Sequence, residues 1–350
     1  MSRLRLLTIA GLALALLMAG WLTEPAAARG RATVREFQKG VAFAGMRRET
    51  HFGTAARRSL RELRSTGATW VEVVVTASTL SVQSTVIDWL GPSMPTDASL
   101  REIIAYARRL GLKVLLKPHV DAAGSPWRGD IGQGFTEQQW GTWFANYRAF
   151  IVHYAQLAGD SGVDEFSVGC ELDATVGREA GWRWVVAGVR AVYHGPLTYS
   201  DDQVLGHPDV IKWWDSVDVI GEDIYPTLSQ KLEPSVADLR SGWHKYMPWL
   251  HRLAQRWHKP VLLTEIGCRS LSGGAQFPGV FREDGPVDLG LQRCWYAAAL
   301  KELGRRPWLV GTFWWVWSPD SREGGRRDTG FTPRGKPAEQ VLRAWYGRSL

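Results

Sequence analysis

Residues 260–267 read Pro-Val-Leu-Leu-Thr-Glu-Ile-Gly, and residues 70–78 read Trp-Val-Glu-Val-Val-Val-Thr-Ala-Ser. Both runs are short, β-branched and apolar almost throughout, without alternation. That is the pattern of a strand in a parallel sheet covered on both faces. Working outward, similar runs occur at 41–46, 113–120, 165–172, 196–201, 217–225 and 309–317. Amphipathic stretches follow them, clearest at 54–65, 99–110 with Asp97 as a candidate cap, 136–157, 182–192, 236–257 and 287–303. Eight strand–helix pairs with no linker-like or low-complexity break predict an α/β chain folded as a single (β/α)8 TIM barrel. A doubly wound sheet needs fewer units and usually carries a glycine-rich first turn. The run Gly129-Asp130-Ile131-Gly132-Gln133-Gly134 lacks that spacing and follows no strand directly.

The composition is that of a globular protein: 350 residues, 45% hydrophobic and 22% charged. The net charge of +7 is scattered, with no basic run, so nucleic-acid binding is not supported. Tryptophan is in excess, with 19 against 11 Phe and 9 Tyr, which makes a surface for stacking flat ligands a candidate use. Trp70, Trp182 and Trp184 lie inside predicted elements and read as packing. The N-terminus, Met-Ser-Arg-Leu-Arg followed by an apolar run from Leu6 to Leu22 and Ala26-Ala27-Ala28, reads as a signal peptide over residues 1–28. Cleavage after Ala28 would leave a domain of residues 29–350, secreted or periplasmic; left uncleaved, the same run would anchor it to a membrane. Cys170, Cys268 and Cys294 allow one bridge, Cys268–Cys294, or three buried thiols. The sequence holds no zinc-ribbon, zincin, nucleophile-elbow or Walker pattern, and no metal or other cofactor is expected. His119, Asp121, Glu222 and Asp223 lack a His-x-x-x-His pair. His244, His251 and His258 recur every seven residues, about 10 Å apart along a helix, and read as a helix face.

In such barrels the reactive groups stand where strands give way to the following loops. Strand 3 ends on Lys117, His119 and Asp121, strand 4 on Glu171 and Asp173, and strand 5 on Tyr199, Asp201 and Asp202. Strand 6 ends on Glu222, Asp223 and Tyr225, strand 7 on Glu265, and strand 8 on Trp314, Trp315 and Trp317. Eight carboxylates therefore meet on one rim of a basic chain. Glu171 and Glu265 are the two placed for glycoside hydrolysis, in which one carboxyl protonates the leaving oxygen and the other attacks the anomeric carbon. The competing reading pairs both with barrel Arg or Lys residues as structural ions.

At these residues the sequence resembles clan A of the glycoside hydrolases, and more narrowly glycoside hydrolase family 113, the endo-β-1,4-mannanases. The likeness runs from about Gly40 to Tyr346. It rests on Leu-Lys-Pro-His-Val-Asp at 116–121, Trp-Arg-Gly at 127–129, Trp-x-x-Trp-Phe-x-x-Tyr at 140–147 and Val-Gly-x-Glu-Leu at 168–172. It continues with Leu-Thr-Tyr at 197–199, Ile-Gly-x-Asp-x-Tyr-Pro at 220–226, Thr-Glu-Ile-Gly-x-Arg-Ser at 264–270 and Gly-Lys-Pro-Ala-Glu at 335–339.

The resemblance implies that Glu171 is the general acid/base and Glu265 the nucleophile of a retaining reaction, with Tyr225 orienting the nucleophile. It implies Trp315 or Trp317 as the sugar platform. Lys117, His119, Asp121, Arg128 and Asp223 would contact sugar hydroxyls, and Trp127 and Asp202 complete the candidate binding set. The expected partner is a polysaccharide or oligosaccharide, and the expected state a monomer. Three positions depart from the family pattern: Cys170 stands where Asn usually precedes the acid/base, Ser200-Asp201-Asp202-Gln203 replaces an Ala-Asn-Trp-like stretch, and Glu222 replaces an apolar residue. They leave room for another β-glycan as substrate, or for a carbohydrate-binding barrel without turnover.

Overall fold

The structure is a computed structural model that describes residues 36–45, 53–92, 94–125, 127–202, 210–280, 285–304 and 306–347. The signal-peptide reading of residues 1–28 lies outside them. Among the described residues no helix is long and apolar enough to cross a membrane.

Eight parallel strands close in chain order: β1 (Gln38–Phe43), β2 (Trp70–Thr79), β3 (Lys113–Ala122), β4 (Glu165–Cys170), β5 (Leu197–Asp201), β6 (Val219–Ile224), β7 (Val261–Ile266) and β8 (Leu309–Trp317). The helices described around them are α1 (Thr54–Ser65), α2 (Asp97–Arg109), α3 (Glu137–Ser161), α4 (Asp173–Val176), α5 (Glu179–Arg190), α6 (Val236–Trp243), α7 (Met247–Trp257), α8 (Leu289–Leu303) and α9 (Pro337–Tyr346). The (β/α)8 barrel expected from the strand pattern is therefore present.

Local sequence explains where elements begin and stop. Thr96, not Asp97, caps α2 by accepting from the Ser99 amide, and Asp97 is the first helical residue. Thr136 and Gln139 form a reciprocal capping box at the start of α3. The single helix expected over 236–257 is two helices. Pro248 lies in the first turn of α7, where its missing N–H costs nothing; inside a continuous helix it would break the ladder. The break leaves His244 behind α6 while His251 rides on α7 and His258 caps it, so the three histidines share no helix face.

The floor of the barrel is apolar, built from Trp70, Leu115, Val219, Leu262 and Phe313. Gly40 makes room there, because a Cβ at that position would stand 2.4 Å from the Phe313 ring. The layer between sheet and helices holds eight fully buried tryptophans: Trp143, Trp182, Trp213, Trp214, Trp243, Trp295, Trp314 and Trp317. Trp184 corrects the packing assignment, being 47% exposed with the Arg148 guanidinium over its ring. All three cysteines are free, so the Cys268–Cys294 bridge is not formed.

Candidate active site

The upper interior of the barrel is polar, and one lysine organises it. Lys117, on β3, is fully buried. Its Nζ donates to Glu265 Oε1 at 2.8 Å and to both Asp223 oxygens at 3.0 and 2.9 Å, and lies 3.7 Å from Glu72. Burial works against its charge, but the surrounding carboxylates outweigh that and raise its pKa well above the ordinary lysine value. Beneath it, fully buried Glu72 is pushed well up by burial, with the Lys117 charge opposing. Lys117 is therefore a fixed cation under Asp223 and Glu265.

Glu265 closes β7. Besides Lys117 it accepts from the Tyr225 hydroxyl at 2.7 Å on Oε2, which fixes the plane of the carboxylate. Burial and Asp223 push its pKa up, while the Lys117 charge and the hydrogen bonds from Lys117 and Tyr225 pull it back. His119 Nε2 is 3.9 Å from Glu265 Oε1, and its ring stacks on Trp315 at 6.3 Å between centroids. Burial, with Arg128 and Lys117 alongside, lowers the His119 pKa well below normal, so the imidazole is neutral. Its Nδ1 accepts from Arg128 at 2.6 Å, which places its proton on Nε2.

Glu171 leaves β4 in the left-handed region, with φ of 50°. An L-residue there costs roughly 1–2 kcal/mol, and such strain persists where a side chain must be aimed. The chain is pinned on both sides: the Glu171 amide donates to the Ser200 carbonyl at 2.8 Å and the Leu172 amide to the Tyr199 hydroxyl oxygen at 3.0 Å. This turn ends β4 at Cys170, two residues before the expected end. Burial raises the Glu171 pKa well above the carboxylate range; the Arg128 charge opposes this, and Glu265, Asp223 and Asp202 reinforce it. Arg128 stands 3.7 Å from Glu171, pairs with Asp121 at 2.8 Å and donates to Cys170 Sγ at 3.1 Å. One oxygen each of Glu171, Glu265 and Asp223, together with Cys170 Sγ, lie within 4.8 Å of one another.

The structure thus brings Glu171, Glu265, Tyr225, Trp315, His119, Arg128 and Asp121 to one mouth. It reassigns three expected sugar contacts. Lys117 and Asp223 are sealed beneath the glutamates, at 0% and 1% exposure. Trp317 faces the helices, donating from Nε1 to the Ser59 carbonyl at 3.1 Å with Arg334 across its ring, so it lines no part of the mouth. Trp315 is packed with Phe331 and near Tyr225, on the Glu265 side. Trp127 is exposed on the rim and lies against Gly129. Glu72 was missed by sequence reasoning; its signal was a lone charge inside an apolar strand run.

His119, Asp121, Glu222 and Asp223, considered and set aside as metal ligands, are divided by the sheet. His119 and Asp223 point inward and Asp121 sits on the rim. Glu222 faces the helices beside Asp201, its register partner. Asp202 joins a second acidic group there by a side-chain hydrogen bond to Asp173, and burial and that neighbour push its pKa up to about 9. Glu222 and Asp201 are also raised, each first by burial and then by neighbouring carboxylates.

Comparison with known proteins adds to this geometry. Two solved structures of family 113 β-1,4-mannanases, one of them a complex, are 30% and 31% identical to the chain; both superpose with TM-scores of 0.80 and cover 89% of this chain and 100% of their own. The family 113 β-mannanase of Alicyclobacillus acidocaldarius, in complex with ManMIm, is 30% identical with a TM-score of 0.79, covering 89% and 97%. A search of curated protein sequences finds no match. The profile of Glycoside Hydrolase Family 113 matches residues 41–336, and the chain belongs to that family.

Proposed function

We propose that the protein is an exported, monomeric, retaining β-glycosidase that cleaves β-1,4-mannan within the chain. The observation that carries the chemistry is the approach of Glu171 and Glu265 oxygens to within 4.8 Å. Retaining enzymes hold their carboxyls about 5–5.5 Å apart, whereas inverting ones leave about 6.5–9.5 Å for a water. Glu265, held by Lys117 and Tyr225, attacks the anomeric carbon while Glu171 delivers its proton to the departing glycosidic oxygen. Glu171, now ionised, takes a proton from water, which displaces Glu265 from the sugar and restores both groups. Trp315 offers its indole face to the sugar, and Asp121, Arg128 and Trp127 are the rim contacts.

Mannan as substrate is supported by the likeness to family 113 β-mannanases at 30% identity. Export is supported by the Leu6–Leu22 run and the Ala26-Ala27-Ala28 site, and predicts Arg29 as the N-terminal residue of the secreted protein. Cys170 favours a second reading. Bonded to Arg128 and Asp223, it offers a sugar hydroxyl less than the family's Asn would, so a different β-linked hexose polymer is the alternative substrate. Incubation with β-1,4-mannan, glucomannan, cellulose and xylan, with products separated by chromatography, decides between them. Cleavage of mannan into oligosaccharides is expected. Binding of any of the four without cleavage would instead make the protein a carbohydrate-binding barrel.

A further inference from the structure

Lys117 is bound so that it keeps its charge and its place whatever happens to Glu265. Its Nζ spans β6 and β7, where Asp223 and Glu265 are register partners. Both Asp223 oxygens accept from it, at 3.0 and 2.9 Å, and Glu265 Oε1 accepts at 2.8 Å. If Glu265 becomes an ester, Asp223 still holds the cation. Glu265 meets titratable groups on several elements. β3 presents Lys117 and His119 to it, and β2 presents Glu72. β6 presents Asp223, with Tyr225 just beyond the strand; Cys170 and Glu171 stand at the end of β4, and Arg128 in the loop after β3. Of these, Lys117 and Arg128 are the cations, and Lys117 is the one of the two that bonds Glu265. The uncharged Tyr225 hydroxyl holds the other oxygen at 2.7 Å. A fixed positive charge therefore sits against Glu265 Oε1 from the side sealed off from the mouth.

We propose that Lys117 is a positioning residue that acts through Glu265, and that it speeds the second of the two displacements, the release of the sugar to water. The inference rests on the retaining reading given above. In the first displacement Glu265 gives an electron pair to the anomeric carbon and its negative charge is spent. A cation beside it there favours the starting carboxylate over the transition state. In the second, the oxygen of water bonds the anomeric carbon as the bond to Glu265 breaks; the bonding pair returns to the carboxylate, and Glu171 takes the proton from water. Negative charge then grows in front of a donor already in place. An interaction accelerates a step only if it is stronger in the transition state than in the ground state. A preorganised donor aimed at developing negative charge is worth about 10²–10³-fold when removed singly. Lys117 thus acts in opposite senses on the two steps, which a lysine that merely fills the barrel interior does not do. Its charge also opposes the burial and the Asp223 carboxylate that push Glu265 toward its protonated form.

The two steps are separated by 2-deoxy-2-fluoro-β-mannobiosyl fluoride, whose sugar stays on the nucleophile long enough for the adduct to be weighed by mass spectrometry of the full chain. The rate of labelling reads the first step. After excess probe is removed, the rate at which the added mass disappears in buffer reads the second. The wild-type chain should be labelled at Glu265. In Lys117→Met the loss of the label should slow at least about tenfold, while labelling above the pH range in which Glu265 is protonated changes less than about threefold. That pH range itself should move upward, because a carboxyl without its cation gives up its proton later. Lys117→Arg, which restores the charge, should recover part of the loss. If Lys117→Met does not fold, Lys117→Gln, which keeps an N–H donor without the charge, carries the comparison. Unchanged loss of the label, or equal slowing of both steps, overturns the proposal and leaves the lysine a structural ion. Absence of any label on a wild-type chain that cleaves mannan instead overturns the retaining reading, and the proposal with it.

Discussion

Glu265 and Glu222 are both buried strand carboxyls near the barrel mouth, on adjacent strands, yet their surroundings are opposite. Glu265 accepts from a lysine and a tyrosine and stands near the buried Lys117, the part-buried Arg128 and a neutral imidazole. Glu222 has no hydrogen-bond partner and has acids as its nearest charged neighbours. The sheet separates them: Glu265 faces inward onto Lys117, while Glu222 faces the helices among apolar packing and other acids. Position at a strand end therefore does not fix a carboxyl's surroundings; the side of the sheet it faces decides whether a cation stands beside it.

The sharpest way to break this contrast is at Glu171 and Glu265, the proposed catalytic pair. Glu265→Gln should lower kcat by roughly 10⁴-fold or more while oligosaccharide binding persists, measured by reducing-end release and by calorimetry. Glu171→Gln should cost about 10²–10⁴-fold on polysaccharide. In the proposed mechanism Glu171 is the acid, and its pKa is raised by burial, so wild-type activity should fall as pH rises through that pKa. The same variant should lose this alkaline limb on aryl glycosides, whose leaving group needs no protonation. A wild-type alkaline limb that survives in Glu171→Gln would remove Glu171 from the acid role.

Removing the compensating charge comes next. Lys117→Met leaves Asp223 and Glu265 buried without their cation and should cost about 3–5 kcal/mol of stability in urea titration. A loss below 1 kcal/mol would mean that Lys117 does not hold the site together. The smallest effect is expected on the barrel floor. There Glu165 is fully buried, accepts from Gln38 Nε2 at 2.8 Å, and is pushed up by burial to about 7. A carboxyl with a raised folded-state pKa is most favourable below its unfolded pKa, and that contribution is lost as pH rises through the folded value. Glu165→Gln should therefore stabilise the protein above pH 7 by about 2–3 kcal/mol and leave it little changed near pH 4, as read from urea midpoints.

Much of this was legible in the sequence, for identifiable reasons. Parallel strands buried on both faces have to be apolar throughout, so runs such as 260–267 marked the barrel, and the strand-end rule singled out Glu171, Tyr225 and Glu265, which the structure brings together. What failed was the side on which residues point. Strict alternation puts Trp315 and Trp317 on one face, but the β1–β8 register shifts between Val41 and Phe43, and Trp317 turns toward α1. The β6–β7 register shifts between Glu222 and Asp223 in the same way. Lys117 and Asp223 were assigned to sugar because a strand-end polar residue reads as surface, and nothing in their spacing shows that they pair with each other across the barrel. Glu72 was counted as one residue of an apolar run, although a lone acid there needs a buried partner, and Lys117 is that partner.

The central claim, that Glu171 and Glu265 work as a retaining pair, is tested most directly by the stereochemistry of the first product. Proton NMR of mannohexaose during its first minutes with the enzyme should show the new reducing end appearing as the β-anomer, which then mutarotates. Initial appearance of the α-anomer would mean inversion, and would contradict the assignment of Glu265 as the nucleophile.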